Sequence, residues 1–404
     1  MMLSEKFYSR SFHGPAALNI KMSYGNEASI DFSNYAKEKN ARLVDLRSDT
    51  ISKPSKAMKM AMINAELGDD VYGEDPTVKA LEEKAAKLLG KEAAIFVTSG
   101  TMGNLIAIMI HCDVRGSEAY CSEESHPVLH EQGGAAQLAG VTLCSLRSNP
   151  DGTFCLKKLK SNLRSDRLHE PISKLVMVEN TINGKVLPQS WIDELIIFAK
   201  KHSLKTHMDG ARLWNASVAS GIPAREIVAN FDSVTFCLSK GLGAPVGSLL
   251  CGSKSFVQQA RRVRKVLGGG MRQVGVLAAA GLVAIEEIIP LLKEDHRRAR
   301  LIAEAVHGLG SKLFSVDLDT TKTNMVMIKV NGDENSVNAI TFIDRLERVE
   351  EDCFDDKVIV RGLALTQELA RLVFYYEITD EDTEAAIRKI KYVIKKLDPS
   401  LSNL

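Results

Sequence analysis

The stretch Phe236-Cys237-Leu238-Ser239-Lys240-Gly241-Leu242-Gly243 decides how this chain is read: a β-like apolar run ends in a lysine, and Gly241 and Gly243 follow it. A lysine set between apolar residues and glycines at a strand end is costly to bury without a role, and its amine can act as a nucleophile. Thirty-one residues upstream, Lys205-Thr206-His207-Met208-Asp209-Gly210-Ala211-Arg212 ends a second short strand in a carboxylate, with a cation three residues further on. Ser99-Gly100-Thr101 follows a third apolar run, Ala93 to Val97. Turn, acid and lysine at three strand ends, in that order, form the set that pyridoxal phosphate needs. The lysine amine forms a Schiff base with the aldehyde, and an acid beside the pyridine nitrogen keeps it protonated as an electron sink. A small-residue turn that opens a helix receives the phosphate.

Outward from these residues, short β-branched runs alternate with amphipathic helical stretches, the pattern of an α/β domain with a mostly parallel sheet. One helix is marked at both ends: Asp75 caps it, Pro76 occupies its first turn, Val78, Leu81, Ala85 and Leu88 recur on one face, and Gly90 stops it. Strands are expected at Leu175 to Glu179, at 205 to 209 and at 233 to 238, with Gly247 to Cys251 as an antiparallel partner. A helix is expected from Ser190 to His202, with Ser190 and Asp193 at capping-box spacing. After Pro290 the organisation changes to a charge-studded helix, strands at Asn324 to Val330, Val358 to Arg361 and Leu372 to Tyr376, and an amphipathic helix from Asp380 to Leu397. That reads as a small α+β domain. The expected division is an N-terminal extension at 1–41, a large domain at 42–290 and a small C-terminal domain at 291–404.

Composition narrows the function classes. Acidic and basic residues nearly cancel, 51 against 52 with nine histidines, so no field favours nucleic acid or an anionic membrane. A small neutral or zwitterionic substrate fits better. The seven cysteines are odd in number and never form a C-x-x-C pair, which points to reduced thiols in a cytosolic-type compartment and to no disulfide or zinc framework. The most apolar stretch, Val274 to Ile285, runs into Glu286-Glu287 and falls short of the ~20 residues that a bilayer span requires. Near the N-terminus, Lys6, Arg10, His13 and Lys21 stand against Glu5. A disordered or subunit-embracing extension suits this polar segment better than a mitochondrial transit peptide, so the expected location is cytoplasmic. A nicotinamide dehydrogenase would place G-x-G-x-x-G after an early strand, and Gly241, Gly243 and Gly247 miss that spacing. Gly90-Lys91-Glu92 and Gly184-Lys185-Val186 both fail the G-K-[ST] of a P-loop.

Several phrases together resemble the L-threonine aldolases: Asp45-Leu46-Arg47-Ser48-Asp49-Thr50, Gly68-Asp69-Asp70-Val71-Tyr72-Gly73, Ser125-His126, Glu179-Asn180-Thr181, Met208-Asp209-Gly210-Ala211-Arg212, Ser239-Lys240-Gly241-Leu242-Gly243-Ala244-Pro245 and Gly268-Gly269-Gly270-Met271-Arg272-Gln273. The likeness runs from Leu43 to Gly281 and more loosely to the end. It implies the fold type I architecture of the aspartate aminotransferase superfamily, with a mostly parallel seven-stranded sheet and a small C-terminal α+β domain. It also implies pyridoxal 5'-phosphate as cofactor, no metal in the site, and a homotetramer, a dimer of dimers, in which subunits share active sites.

Carried over by resemblance, Lys240 is the Schiff-base lysine and Asp209 the partner of the pyridine nitrogen. Arg212 meets the phenolic oxygen and reaches the substrate carboxylate. Gly100 and Thr101 hold the phosphate, joined by Lys265 and Arg272 from the neighbouring subunit. His126 stacks on the ring, Ser48 and Arg371 bind the substrate carboxylate, Tyr72 enters from the partner subunit, and His169 aligns with a histidine near the substrate hydroxyl. Where the family reads Glu-Asn-Thr-His-Asn, this chain has Glu179-Asn180-Thr181-Ile182-Asn183, and the stretch from Gly332 to Asp356 is longer and more acidic than in compact bacterial relatives. The implied reaction is retro-aldol cleavage of L-threonine and L-allo-threonine to glycine and acetaldehyde, the hydroxyl proton going to His126, His169 or an ordered water. A β-eliminating lyase or an aminotransferase of the same fold is the enzymatic alternative. A non-catalytic binding protein is the other, against which Lys240 and Asp209 speak.

Overall fold

The computed structural model describes residues 31–332, 337–349 and 357–401. Most of the expected N-terminal extension and parts of the acidic 332–356 stretch lie outside the described residues. A short helix, Phe32–Glu38, and strand β1 (Arg42–Asp45) come first. The central sheet follows, from β2 (Ala93–Val97), β3 (Ser117–Ser122), β4 (Thr142–Leu146), β5 (Ile172–Glu179), β6 (Lys205–Gly210), β7 (Ser233–Cys237) and β8 (Ser248–Gly252). Their spatial order is β2-β8-β7-β6-β5-β3-β4. Only β8 runs antiparallel, between β2 and β7. The other neighbours pair in parallel. Every residue of β3, β7 and β8 is buried, as expected when helices cover both faces of a sheet.

The helix Pro76–Leu89 has the ends its sequence signals: Asp75 accepts from the Val78 N–H at 3.0 Å, and Gly90 closes it with φ +63°. Its Leu81, Ala85 and Leu89 enter the main core, where a fully buried leucine contributes about 1.5–3 kcal/mol. The helix expected from Ser190 begins at Gln189, after Pro188, without a side-chain cap. Asp193 accepts instead from the Gln189 amide at 3.0 Å, so the capping-box reading of Ser190 and Asp193 is corrected.

The second body holds β9 (Phe314–Ser315), β10 (Met325–Val330), β11 (Val358–Arg361), β12 (Leu363–Ala364) and β13 (Leu369–Val373). β12-β13-β10-β9 form an antiparallel sheet, while β11 pairs in parallel with β1. Val44 and Leu46 therefore pack in the C-terminal core, and the expected large-domain start at residue 42 gives way to a chain that begins in the small domain and then leaves it. The strand expected at Leu372 to Tyr376 lies three residues earlier. The helix Leu292–His307 joins both bodies, with Leu292 in the main core and Ala299, Ile302, Ala303 and Val306 in the C-terminal one. The helical run Gly275–His307 is long and apolar enough to cross a bilayer by length and composition, and many of its apolar side chains, among them Ala278, Ile285, Ile288, Leu292 and Ile302, pack into these two cores.

Candidate active site

The carboxyl ends of the parallel strands converge on one edge, where open α/β sheets place their ligands. Beyond β2, Ser99 caps the helix Gly100–His111 by accepting from the Met102 N–H at 3.1 Å. A Cβ at Gly100 would lie 2.9 Å from Cys237 Sγ, so only glycine lets this helix begin directly against the end of β7. Gly100 and Thr101 then present first-turn N–H groups, a ready seat for a phosphate.

Asp209 stands in register with Glu179 of β5 and Thr235 of β7. Its Oδ1 accepts from the Ala211 N–H at 2.9 Å and its Oδ2 from the Asn104 amide at 2.7 Å. The ligand atoms of His126, Glu131 and Asp209 all lie within 4.8 Å of one another. His126 Nδ1 meets Glu131 Oε1 at 2.9 Å, while its backbone N–H donates to Glu179 Oε2 at 2.9 Å. The hydrogen bond to Glu131 raises the His126 imidazole above its ordinary pKa, against the effect of burial. Burial, and then the nearby Asp209, push Glu179 up to about 7.

Lys240 follows β7 by three residues and is half-buried. Its carbonyl accepts from the Gly243 N–H at 2.8 Å and the Ser52 hydroxyl at 3.2 Å, which pins the loop. Gly243 has φ +71°, and a Cβ there would meet the Tyr376 ring at 2.7 Å, so both conformation and space require glycine. The Lys240 ammonium acts electrostatically on Asp49, His126, Glu179 and Cys237, which places it near His126, the residue expected to stack on the ring, and near the acids beside it.

Arg212 differs from expectation. Its Nε and Nη2 donate to the two oxygens of Asp49 at 2.8 and 2.6 Å, and both side chains are buried. Asn324 adds a third donor to Asp49 at 3.2 Å. Despite burial, the Arg212 charge holds the Asp49 carboxyl below its ordinary pKa. Arg212 is thus a fixed fork, leaving Nη1 and one Nη2 hydrogen for a ligand. Ser48 caps the turn that carries Asp49, accepting from the Thr50 N–H at 3.3 Å and from its hydroxyl at 2.9 Å. Arg371 donates to the Arg47 carbonyl at 3.1 Å, beside Ser48, and the charges of Arg371 and Lys240 are both felt at His130.

His169 is not brought to the site. It is exposed in a turn before β5, whereas Glu179 ends that strand, so the eight-residue strand separates them by roughly 25 Å at about 3.3 Å per residue. Within one chain it does not join the site edge. Ile182, standing where the family has histidine, is a buried member of the main core. Tyr72 is 76% exposed in this chain, Lys265 is exposed at the end of the helix Lys254–Val266, and Arg272 pairs with Asp69 at 3.0 Å. The sequence reading gave no role to Asp49, Asn104, Glu131, Glu179 or His207. Two signals were available: His207 shares a strand face with Asp209 two residues on, and Asn104 stands one helical turn after Gly100.

Residues 45–331 match the beta-eliminating lyase family. The chain is 46% identical over 294 residues to the low specificity L-threonine aldolase of Escherichia coli (strain K12), spanning 73% of this chain and 86% of that one. It is 43% identical over 346 residues to low-specificity L-threonine aldolase 1 of Arabidopsis thaliana, spanning 84% and 93%. Among solved structures, Leishmania major threonine aldolase is similar with a TM-score of 0.71 at 19% identity, covering 87% of this chain and 99% of that one. Sphingomonas wittichii serine palmitoyltransferase is similar with a TM-score of 0.67 at 16% identity, covering 87% of each. Likeness at so low an identity speaks for a shared fold, the type I architecture of the pyridoxal-phosphate enzymes. With its strand-edge lysine, acid and phosphate turn in place and most of its length matched, the chain belongs to the beta-eliminating lyase family, among the low-specificity L-threonine aldolases.

Proposed function

We propose that this chain is a pyridoxal-phosphate-dependent aldolase that cleaves L-threonine and L-allo-threonine to glycine and acetaldehyde. The observation that carries the reading is the meeting of Lys240, Asp209 and the Gly100 helix start at one sheet edge, in a chain 46% identical to an enzyme of that name. The residues fit the cofactor. Gly100 lets the phosphate-facing helix start directly against β7, where a Cβ would meet Cys237 Sγ, and Asp209 is buried with one protein donor on each oxygen. Gly100 and Thr101 would take the phosphate, Asp209 the ring nitrogen, Lys240 the aldehyde carbon, and His126 the face of the ring. When bound, the cofactor supplies an electron sink for the bonds at the substrate's Cα.

The chain's own residues decide which bond is used. Arg371 and Ser48 hold the substrate carboxylate and so orient the Cα–Cβ bond. His126, with its Nδ1 engaged by Glu131, would take the hydroxyl proton at Nε2, directly or through an ordered water. Selectivity should be strict at Cα, where the carboxylate is fixed, and loose at Cβ, where shape discrimination of one methyl gains only ~1–3 kcal/mol.

The same reading includes a cytoplasmic homotetramer with shared sites, binding neither nucleic acid nor membrane. Ile63, Tyr72 and Val266, each more than 70% exposed, form apolar surface suited to burial between subunits, and the six described cysteines are unbridged. Sedimentation of the holoenzyme tests the assembly. Product analysis tests the reaction. Both L diastereomers should release acetaldehyde with equimolar glycine, and D-threonine none. Release of 2-oxobutanoate and ammonia would instead assign a β-elimination, the reaction for which the matched family is named.

A further inference from the structure

Behind Asp209, five buried side chains form a hydrogen-bonded chain in which every hydrogen can be assigned. Asn104, 1% exposed, spends both amide hydrogens on carboxylates, Asp209 Oδ2 at 2.7 Å and Glu131 Oε1 at 2.9 Å. Its Oδ1 can then only accept, so His207 Nε2, at 3.1 Å, carries a hydrogen. Burial pushes His207 down to about 3, so the ring is neutral and its Nδ1 is bare. Nδ1 accepts from the Ser233 hydroxyl at 2.8 Å. The Ser233 oxygen in turn receives His111 Nε2–H at 2.7 Å, from a ring that burial also keeps neutral. All donors point toward the two carboxylates. The links span the sheet from the end of the helix Gly100–His111, through β7 and β6, to the site edge.

We propose that Asn104 is a positioning residue for the aldolase reaction, clamping Asp209 and Glu131 side by side, and that His207, backed by Ser233 and His111, locks its amide in the only orientation that can do so. An amide's oxygen and nitrogen are nearly the same size, so without a donor on Oδ1 the group can turn over and set its oxygen against two carboxylates. The clamp reaches His126 as well, because the Glu131 oxygen that accepts from Asn104 is the one that engages His126 Nδ1. An amide does not take up or release a proton near neutral pH, so the chain orients groups and does not conduct protons.

The proposal rests on the function stated above, and the test separates the two. Holoenzymes carrying Asn104→Ala, His207→Phe and His207→Gln are compared with wild type for kcat, KM, melting temperature and the pH titration of the bound cofactor's visible band. Asn104→Ala and His207→Phe should each lower kcat about tenfold to a hundredfold, the range seen when an outer-shell hydrogen bond behind a metal ligand is removed, with KM little changed. Both should also move the titration of the visible band. His207→Gln, which restores an N–H to Asn104 Oδ1, should recover most of both. If Asn104→Ala fails to fold, the two His207 variants carry the test. Wild-type kcat and titration in folded Asn104→Ala, or equal impairment by Phe and Gln at 207, would overturn the proposal by reducing the chain to packing. Absence of acetaldehyde from wild type would overturn the aldolase reading alone, since the spectral titration does not depend on it.

Discussion

Asp49 and Arg212 are held by a two-point ion pair with neither side chain open to water. Removing one partner of such a pair leaves the other charged and buried, which costs roughly 3–5 kcal/mol. Asp49→Ala should therefore lower the unfolding free energy by about that much in urea titrations, and a change below ~1 kcal/mol would mean the pair is better solvated than it looks. This pair also marks how far single residues were legible in the sequence. Lys240, Asp209 and His126 stood out because their chemistry is costly to place without purpose, and each lies on the site edge. Asp49 carries no such local signal, because an aspartate in a turn has an ordinary capping role and its partner is 163 residues away. Glu131 and Asn104 were invisible for the same reason: nothing local says that residues 27 and 105 positions apart from Asn104 meet at its amide.

At the scale of elements, the legible features are those with local causes. The helix Pro76–Leu89 and strand β2 lie where their cap, proline, glycine and apolar pattern put them. The Asp380–Leu397 helix starts with Thr379 and Asp382 in a capping box and ends where its apolar stripe does. Elements set by tertiary pairing were less legible. β1 reads locally as the opening of the large domain, yet its partner is β11, more than 300 residues later, and β13 slid three residues to bring Arg371 opposite Met327. The start of the Gly100–His111 helix offers a test at this scale. Gly100→Ala should displace that start and weaken cofactor retention with little change in far-ultraviolet circular dichroism, because its Cβ would lie 2.9 Å from Cys237 Sγ. Cys237→Ala in the same chain should restore part of the loss, since the contact is removed from the other side. Undiminished retention in Gly100→Ala, followed by cofactor absorbance during dialysis, would show that the helix does not need to sit so close.

The helix Leu292–His307 runs from the main core of the large body into the C-terminal core, and Asp295 is buried within that joining helix. Among the described residues neither of its carboxylate oxygens has a hydrogen-bond partner. Burial pushes Asp295 up to about 8, with the Asp49 charge adding to the effect and Arg298 opposing it. The sign follows from linkage. Between the ordinary carboxylate range and pH 8 the unfolded chain has released this proton while the folded chain keeps it, so stability falls as pH rises through that window. Asp295→Asn removes the dependence. The unfolding free energy of the variant relative to wild type, from urea titrations, should climb steadily from pH 5 to pH 8, at ~1.4 kcal/mol per pH unit at most. His207, His111 and His296, all neutral through burial, act in the opposite direction below about 6.5, but they are common to both proteins and cancel in the difference. A flat difference would place Asp295 in contact with water.

Everything said of the reaction turns on Lys240 being the residue that holds the cofactor. Borohydride reduction of the holoenzyme, followed by peptide mass spectrometry, reads that directly. The added mass of reduced pyridoxyl phosphate should fall on the peptide containing Ser239-Lys240-Gly241, and Lys240→Ala should carry no such mass and no visible absorbance band. Label on any other lysine, or a yellow and active Lys240→Ala protein, would contradict it.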